Sequence, residues 1–159
     1  MPRAAFLLFG VVYIFGSWRL AIPLRDASPY WLLFALALSW VGDTAAYYVG
    51  KSFGRHSLAP RVSPKKTWEG SAASVAGSVV FGWLFLRVFL PQVPAWHAMT
   101  LAAAANAAGQ AGDLAESAIK RGAGVKDSGS ILPGHGGLLD RVDSTLFAMP
   151  VVYLYLRSF

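Results

Sequence analysis

The sequence predicts an all-α protein that crosses a membrane about five times and carries two polar loops on its cytoplasmic face. Three observations predict this. Hydrophobic residues make up 55% of the 159 and charged residues only 14%, against about 25% charged in a typical soluble domain. The mean hydropathy is +0.47. Five stretches reach the roughly 20 mostly apolar residues that a bilayer-crossing helix needs.

The first stretch, 4–24, is apolar until Arg19 interrupts its end. One basic residue, Arg3, precedes it and no clear small-residue cleavage site follows Trp18, so it is not a convincing signal peptide. The second, 29–49, is most apolar up to Val41. The third, 71–90, contains Gly77 and Gly82, and its Arg87 lies near an end from which a long side chain reaches water. The fourth, 96–119, holds the alanine-rich run 101–108. Alanine and glycine gain little from lipid, but they let helix backbones approach closely. This segment is therefore expected at the centre of the bundle. The fifth runs over 137–156.

The absence of cysteine excludes disulfides, thiolate metal sites and cysteine nucleophiles. His56, His97 and His135 are too scattered to suggest a histidine-based zinc site. The net charge of +6 could signal nucleic-acid binding, but in so apolar a chain it points to basic cytoplasmic loops. With five alternating helices, one side collects Arg3, Lys51, Arg55, Arg61, Lys65, Lys66, Lys120, Arg121 and Lys126. The other side holds Arg19, Arg25, Arg87 and Arg157, and Arg141 falls inside the fifth segment. The first side is the cytoplasmic one by the positive-inside rule.

Seven of the eight acidic residues map to that same face, Asp26 being the exception. Two clusters echo each other. Asp113-Leu-Ala-Glu116-Ser117 and Asp140-Arg-Val-Asp143-Ser144 share the order acid, two residues, acid, serine. On a helix these positions lie on one face. Four carboxylates converging near a membrane boundary repel one another unless a cation or basic partners compensate. Pairing with neighbouring lysines and arginines explains a single such acid. Four in matched clusters favour a hard cation such as magnesium, held by Asp113, Glu116, Asp140 and Asp143.

The basic loops supply the complement. Ser63-Pro-Lys-Lys-Thr-Trp-Glu69-Gly70 opens the third helix, with Pro64 suited to a first helical turn. Lys120, Arg121 and Lys126 flank a turn-rich stretch that ends in Pro133-Gly-His-Gly-Gly137. Glycines permit close backbone approach, and a helix N-terminus attracts anions. Carboxylates, lysines and a glycine turn together suit phosphoryl or nucleotidyl transfer. Gly50-Lys51-Ser52 matches the end of a Walker motif, but Ala45 stands where glycine is required.

The 27 residues Ser117-Ala-Ile-Lys-Arg-Gly-Ala-Gly-Val-Lys-Asp-Ser-Gly-Ser-Ile-Leu-Pro-Gly-His-Gly-Gly-Leu-Leu-Asp-Arg-Val-Asp143 closely resemble the signature of the phosphatidate cytidylyltransferases, also called CDP-diacylglycerol synthases. Asp43-Thr-Ala-Ala-Tyr and Ser63-Pro-Lys-Lys-Thr-Trp-Glu-Gly resemble further blocks of that family. The resemblance implies a magnesium-dependent enzyme of phospholipid biosynthesis, with a second cation left open. CTP and phosphatidic acid would give CDP-diacylglycerol and pyrophosphate. Asp113 and Asp140 match acids used around the metals, with Asp143 and Glu116 next. Lys66, Lys120, Arg121 and Lys126 would hold the triphosphate or the lipid phosphate. Ser63, Thr67 and Asp127 would join the substrate site, and His135 would position a phosphate or move a proton.

The expected location is a bacterial inner membrane with the site facing the cytoplasm. The expected partners are CTP, phosphatidic acid and membrane lipid, with a homodimer open and no nucleic acid. Residues 1–159 would form one transmembrane catalytic domain, matching roughly the C-terminal three-fifths of family members and lacking their earlier helices. The alternatives are a truncated, non-catalytic membrane protein and a transferase acting on another lipid phosphate.

Overall fold

A computed structural model of the chain describes residues 2–129, 137 and 139–159. Among these residues six α-helices carry the fold: α1 (Pro2–Trp18), α2 (Ala21–Ala27), α3 (Pro29–Phe53), α4 (Trp68–Phe89), α5 (Ala95–Gly122) and α6 (Asp143–Ser158). A two-stranded antiparallel hairpin, β1 (Ser57–Ala59) and β2 (Ser63–Thr67), joins α3 to α4. A short 3-10 turn, Leu139–Arg141, precedes α6.

Hydrophobic runs of this length form helices because the helix satisfies its own backbone polar groups. Two of the described helices, α3 and α4, are long and apolar enough to cross a membrane. The first expected stretch differs from 4–24. The helix stops at Trp18 and restarts at Ala21, so Arg19 and Leu20 form a turn rather than the end of one span. Ser28 starts α3 by accepting a hydrogen bond from the Tyr30 amide, with Pro29 at the first helical position, where its missing N–H costs nothing.

Two further expectations are corrected. The loop before α4 is not free of strands, so the architecture is helical with one hairpin rather than all-α. Pro64 lies within β2, not in a first helical turn. A two-stranded hairpin leaves each strand an edge, and an edge tolerates a residue without an N–H. The helix starts at Trp68 instead, because the Thr67 hydroxyl accepts the Gly70 amide at 3.1 Å. Removing that cap costs about 1 kcal/mol. Thr67→Ala is therefore expected to lower the thermal midpoint in detergent, followed by circular dichroism, while Thr67→Ser keeps it. Equal midpoints for the two variants would refute the capping role.

The core forms where α4 lies between α3 and α5 and α6 closes against α5. Phe34, Leu38, Leu86, Ala102, Ala105 and Met149 are fully buried there. The alanine-rich run does sit centrally, with Leu101, Ala102 and Ala105 in the core. Gly82 faces Ala102 and Phe34 so closely that a Cβ would collide with the alanine methyl. Below this apolar layer a polar seam crosses the same helices. Asn106 donates to Ser74 and Ser78, both at 2.9 Å, and Gln110 donates to Asn106 at 2.7 Å. Ser71 donates to Gln110 at 2.5 Å. Hydrogen bonds between helices fix their register where apolar packing alone is permissive.

Candidate active site

The helices run so that the C-terminal parts of α3 and α5 meet the N-terminal parts of α4 and α6 at the hairpin end of the bundle. Gly70 draws α4 onto α3 there. A Cβ on it would lie 2.9 Å from the Ala46 carbonyl oxygen and 3.3 Å from the Gly50 Cα. This close approach carries Lys66, at the end of the hairpin, over the end of α5. Its ammonium forms an ion pair with Asp113, and Ser117, one turn along, donates to the same carboxylate at 3.4 Å.

Lys66 and Asp113 stand at the mouth of a cavity of about 280 Å³. Lys65 and Thr67 line the mouth with them, and Ser71, Ser74 and Gln110 line the deeper part together with Asp43, which follows Gly42 on α3 at the level of Ser74. Ala46, Tyr47 and Leu58 form an apolar wall. A cavity that combines lysines, carboxylates and hydroxyls with an apolar wall suits a ligand that is polar on one side and apolar on the other.

The four expected metal carboxylates do not form one cluster of matched helix faces. Asp140 lies in the 3-10 turn before α6, outside the helix, so the Asp140–Asp143 spacing does not place both on one helical face. The two sets are divided by function. Lys120 bridges Glu116 and Asp140, meeting each at 2.5 Å. The other oxygen of Asp140 accepts from the Ser128 amide and hydroxyl, each at 2.9 Å, and from the Gly137 amide at 2.7 Å. Burial opposes charge on Asp140, but Lys120 and these donors outweigh it and hold the carboxyl well below the usual carboxylate range. This arrangement clamps the segment after α5 onto the start of α6.

The second set is Asp43, Asp113, Glu116 and Asp143. Asp143 is 8% exposed, accepts the Ser144 amide at 2.6 Å, and lies within electrostatic reach of Asp113, Glu116 and Asp43. Glu116 is 2% exposed, and its Oε1 has no hydrogen-bond partner among the described residues. A buried carboxylate oxygen without a donor is costly unless something else satisfies it. Carboxylate oxygens in mutual reach, one of them orphaned, fit a hard divalent cation by donor chemistry. Among the described residues no three such side chains yet converge on one point.

Lys120 is only 15% exposed at its side chain, so its loss would leave two acids without their cation. Lys120→Met is expected to destabilise the protein by about 3 kcal/mol, measured by thermal unfolding in detergent. The same variant tests pH dependence. The Asp140 carboxyl titrates lower in the fold than its unfolded value of about 3.9. Its contribution is thus complete above that pH and is lost as pH falls through the folded value. Wild type should lose stability on acidification below about pH 4, and Lys120→Met should show a flatter acid limb. An unchanged limb would remove Lys120 from this role.

The remaining expected residues spread out. Ser63 opens β2, in register with Ala59. Arg121 donates to the Val125 carbonyl at 3.0 Å and is exposed, as are Lys126 and Asp127. His135 lies outside the described residues. Asp43, Ser71 and Gln110 were not among the expected site residues. An acid inside the apolar run 29–49 was a signal for Asp43. Nothing local marked Ser71 or Gln110, because serine recurs along α4 and Gln110 is a single neutral amide in an alanine- and glycine-rich stretch of α5.

Carboxylates and lysines thus gather around one cavity, at one end of helices two of which are long and apolar enough to cross a membrane. The chain belongs to the cytidylyltransferase family, whose sequence profile matches residues 1–159. It is 40% identical to the phosphatidate cytidylyltransferase of Bacillus subtilis (strain 168) over 160 residues, covering 99% of this chain and 60% of that protein. It is 38% identical to the phosphatidate cytidylyltransferase of Staphylococcus saprophyticus, covering 96% of this chain and 59% of that protein. The Staphylococcus aureus (strain COL) protein of the same name is 39% identical at the same two coverages. The chain thus spans about three-fifths of the length of these relatives.

Proposed function

We propose that the chain carries the catalytic site of a phosphatidate cytidylyltransferase in a bacterial inner membrane, within a single transmembrane domain over 1–159. The carrying observation is the Lys66–Asp113 pair at the mouth of a cavity lined further by Asp43, Lys65 and an apolar wall. The names of the relatives support it. In this reading five helical segments cross the bilayer, and the hairpin and the 123–142 segment face the cytoplasm. CTP then arrives from water while the lipid enters from the side.

An oxygen of the phosphatidic acid phosphate attacks the α-phosphorus of CTP. The bond from that phosphorus to the bridging oxygen breaks, and pyrophosphate leaves. Lys66 and Lys65 neutralise phosphate charge at the mouth, and Arg121 and Lys126 draw the triphosphate to the rim. Ser63, Thr67 and Asp127 border the same entrance. The clamp of Lys120, Glu116 and Asp140 fixes the segment bearing these groups. Magnesium, when bound, supplies charge neutralisation and polarises the phosphoryl group. Asp113, Glu116 and Asp143 are its proposed holders, while Asp140, expected among them from the sequence, is taken up by the clamp on Lys120, Ser128 and Gly137. Catalysis here is positioning and electrostatics, with no covalent intermediate.

The test is a purified preparation in detergent with magnesium, labelled CTP and dioleoyl phosphatidic acid, alongside equilibrium binding of each substrate. Magnesium-dependent release of pyrophosphate and CDP-diacylglycerol is expected. A preparation that is folded yet binds neither substrate would defeat this reading and leave the chain a non-catalytic membrane protein. Turnover of another lipid phosphate in preference to phosphatidic acid would move it to a related transferase.

A further inference from the structure

The hairpin that brings Lys66 to the cavity has a ladder that skips the lysine. Ser57 pairs with Thr67 and Ala59 with Ser63, so residues 64–66 stand opposite Leu58 alone. A bulge of this kind leaves its extra residues unpaired in the ladder and re-aims their side chains. It is the bulged Lys66 that meets Asp113. Pro64 lies in the same bulge and brings no N–H to any partner. The ladder pair nearest Lys66 is Ser57–Thr67, at the base of the hairpin where it enters α4. What holds that base therefore decides where the lysine stands.

Three hydrogen bonds meet at His56 there. The Trp68 amide donates to the His56 carbonyl at 2.9 Å. The Glu69 carboxylate takes the other two. Its Oε2 accepts the His56 amide at 3.3 Å, and its Oε1 accepts the ring Nδ1 at 2.6 Å. Glu69 lies in the first turn of α4, which Thr67 caps and Gly70 seats against α3. Its carboxylate thus ties the strand that enters the hairpin to the helix that follows the strand leaving it. The side chains of His56 and Glu69 are 76% and 28% exposed, so the pair adds little to the stability of the bundle. Its effect is local, on the geometry of the bulge. An acid in a first turn also meets the positive end of the helix, but that contact needs no partner at residue 56.

Resting on the function proposed above, we infer that Glu69 is a positioning residue for Lys66. Through His56 it closes the base of the hairpin, and so it holds the bulged lysine where a substrate phosphate meets it. Glu69 itself touches neither substrate.

Equilibrium binding of CTP and of dioleoyl phosphatidic acid to the purified protein in detergent tests this. Lys66→Met identifies which of the two ligands the lysine holds. Glu69→Ala is expected to weaken that same ligand about fivefold, the scale of an exposed ion pair, and to leave the other unchanged. Added to Lys66→Met, it should weaken neither further. Glu69→Gln should bind as wild type does. Its carbonyl accepts the His56 amide and its NH2 donates to a neutral imidazole, although the charge is gone. In parallel, nitroxides on Lys65→Cys and Ile119→Cys, in a chain without native cysteine, report the distance between the hairpin and α5. Glu69→Ala should broaden that distance distribution and Glu69→Gln should not.

Equal weakening of both ligands, or a further loss on top of Lys66→Met, would make Glu69 a general support of the fold and overturn its positioning role. Glu69→Gln falling with Glu69→Ala overturns it in favour of a charge effect at the helix end. An unchanged distance distribution in Glu69→Ala overturns it, and so does a Lys66→Met that weakens neither ligand. A wild type that binds neither ligand overturns the transferase reading and this role together, whereas the other failures leave that reading standing.

Discussion

Asp113→Asn is expected to lower CDP-diacylglycerol formation by about two to three orders of magnitude. The substitution keeps the shape of the side chain and the hydroxyl contact with Ser117, but it removes the charge that meets Lys66 at the cavity mouth. Electrostatic groups that act on developing charge in a partly dry site carry losses of that size. The helix itself should survive, because position 113 is only half-buried and lies well inside α5. Unfolding midpoint and far-ultraviolet circular dichroism should therefore stay near wild type while activity falls. Asp143→Asn should follow the same pattern. Asp140→Asn should also lose activity, but together with stability, because its carboxylate closes the clamp on Lys120, Ser128 and Gly137. Activity that survives both Asp113→Asn and Asp140→Asn would remove these residues from any metal or phosphate role. Asp26→Asn is the control, since among the described residues that acid pairs only with the exposed Arg25, at 2.9 Å.

Gly42→Val is expected to lower stability by about 3 kcal/mol. Gly42 is buried on α3 against the polar seam. A Cβ there would collide with the Asn106 amide and lie 2.8 Å from the Ser74 hydroxyl and 2.9 Å from that of Ser78. None of these atoms is the free end of a flexible chain, because each is fixed by the hydrogen bonds of the seam. The bundle must open between α3 and α4 or break the seam, and either leaves polar groups unsatisfied. Thermal unfolding in detergent measures this directly. Gly10→Val serves as the comparison, since a Cβ on Gly10 meets nothing within 4 Å. Equal midpoints for the two variants would show that the seam does not constrain the helices.

Much of the helical framework was legible in the sequence. The starts of α3 and α5 fall at or beside those expected from the apolar runs, because a continuous run of about 20 apolar residues satisfies its backbone in only one way in lipid. The central place of the alanine-rich run followed from the same logic. The break at Arg19 and Leu20 was marked by a charge, yet its meaning as a turn depended on α2 finding a place against α3. The hairpin went unseen because its strands span three and five residues. Such short pieces carry too little period to be told from loop, and Pro64 argued for the wrong element.

The site divides in the same manner. Asp113, Glu116 and Lys120 share a helix, so their common face followed from spacing alone. That Lys66 reaches Asp113 across 47 positions is decided by the approach of Gly70 to α3, which no local pattern encodes. Asp140 and Asp143 looked equivalent in sequence and are not, because the helix begins only at Asp143 and Asp140 is bound by three donors before it.

By itself, then, the sequence determined which segments become helices, which end of them gathers charge, and which chemistry that charge suits. Those properties depend on composition and on spacing within one helix. Only the tertiary structure decided which carboxylate faces the cavity, which one closes a clamp, and that Ser74, Ser78, Asn106 and Gln110 join in one seam between the helices. Those outcomes depend on how closely helix backbones approach, and that distance is set jointly by residues far apart in the chain.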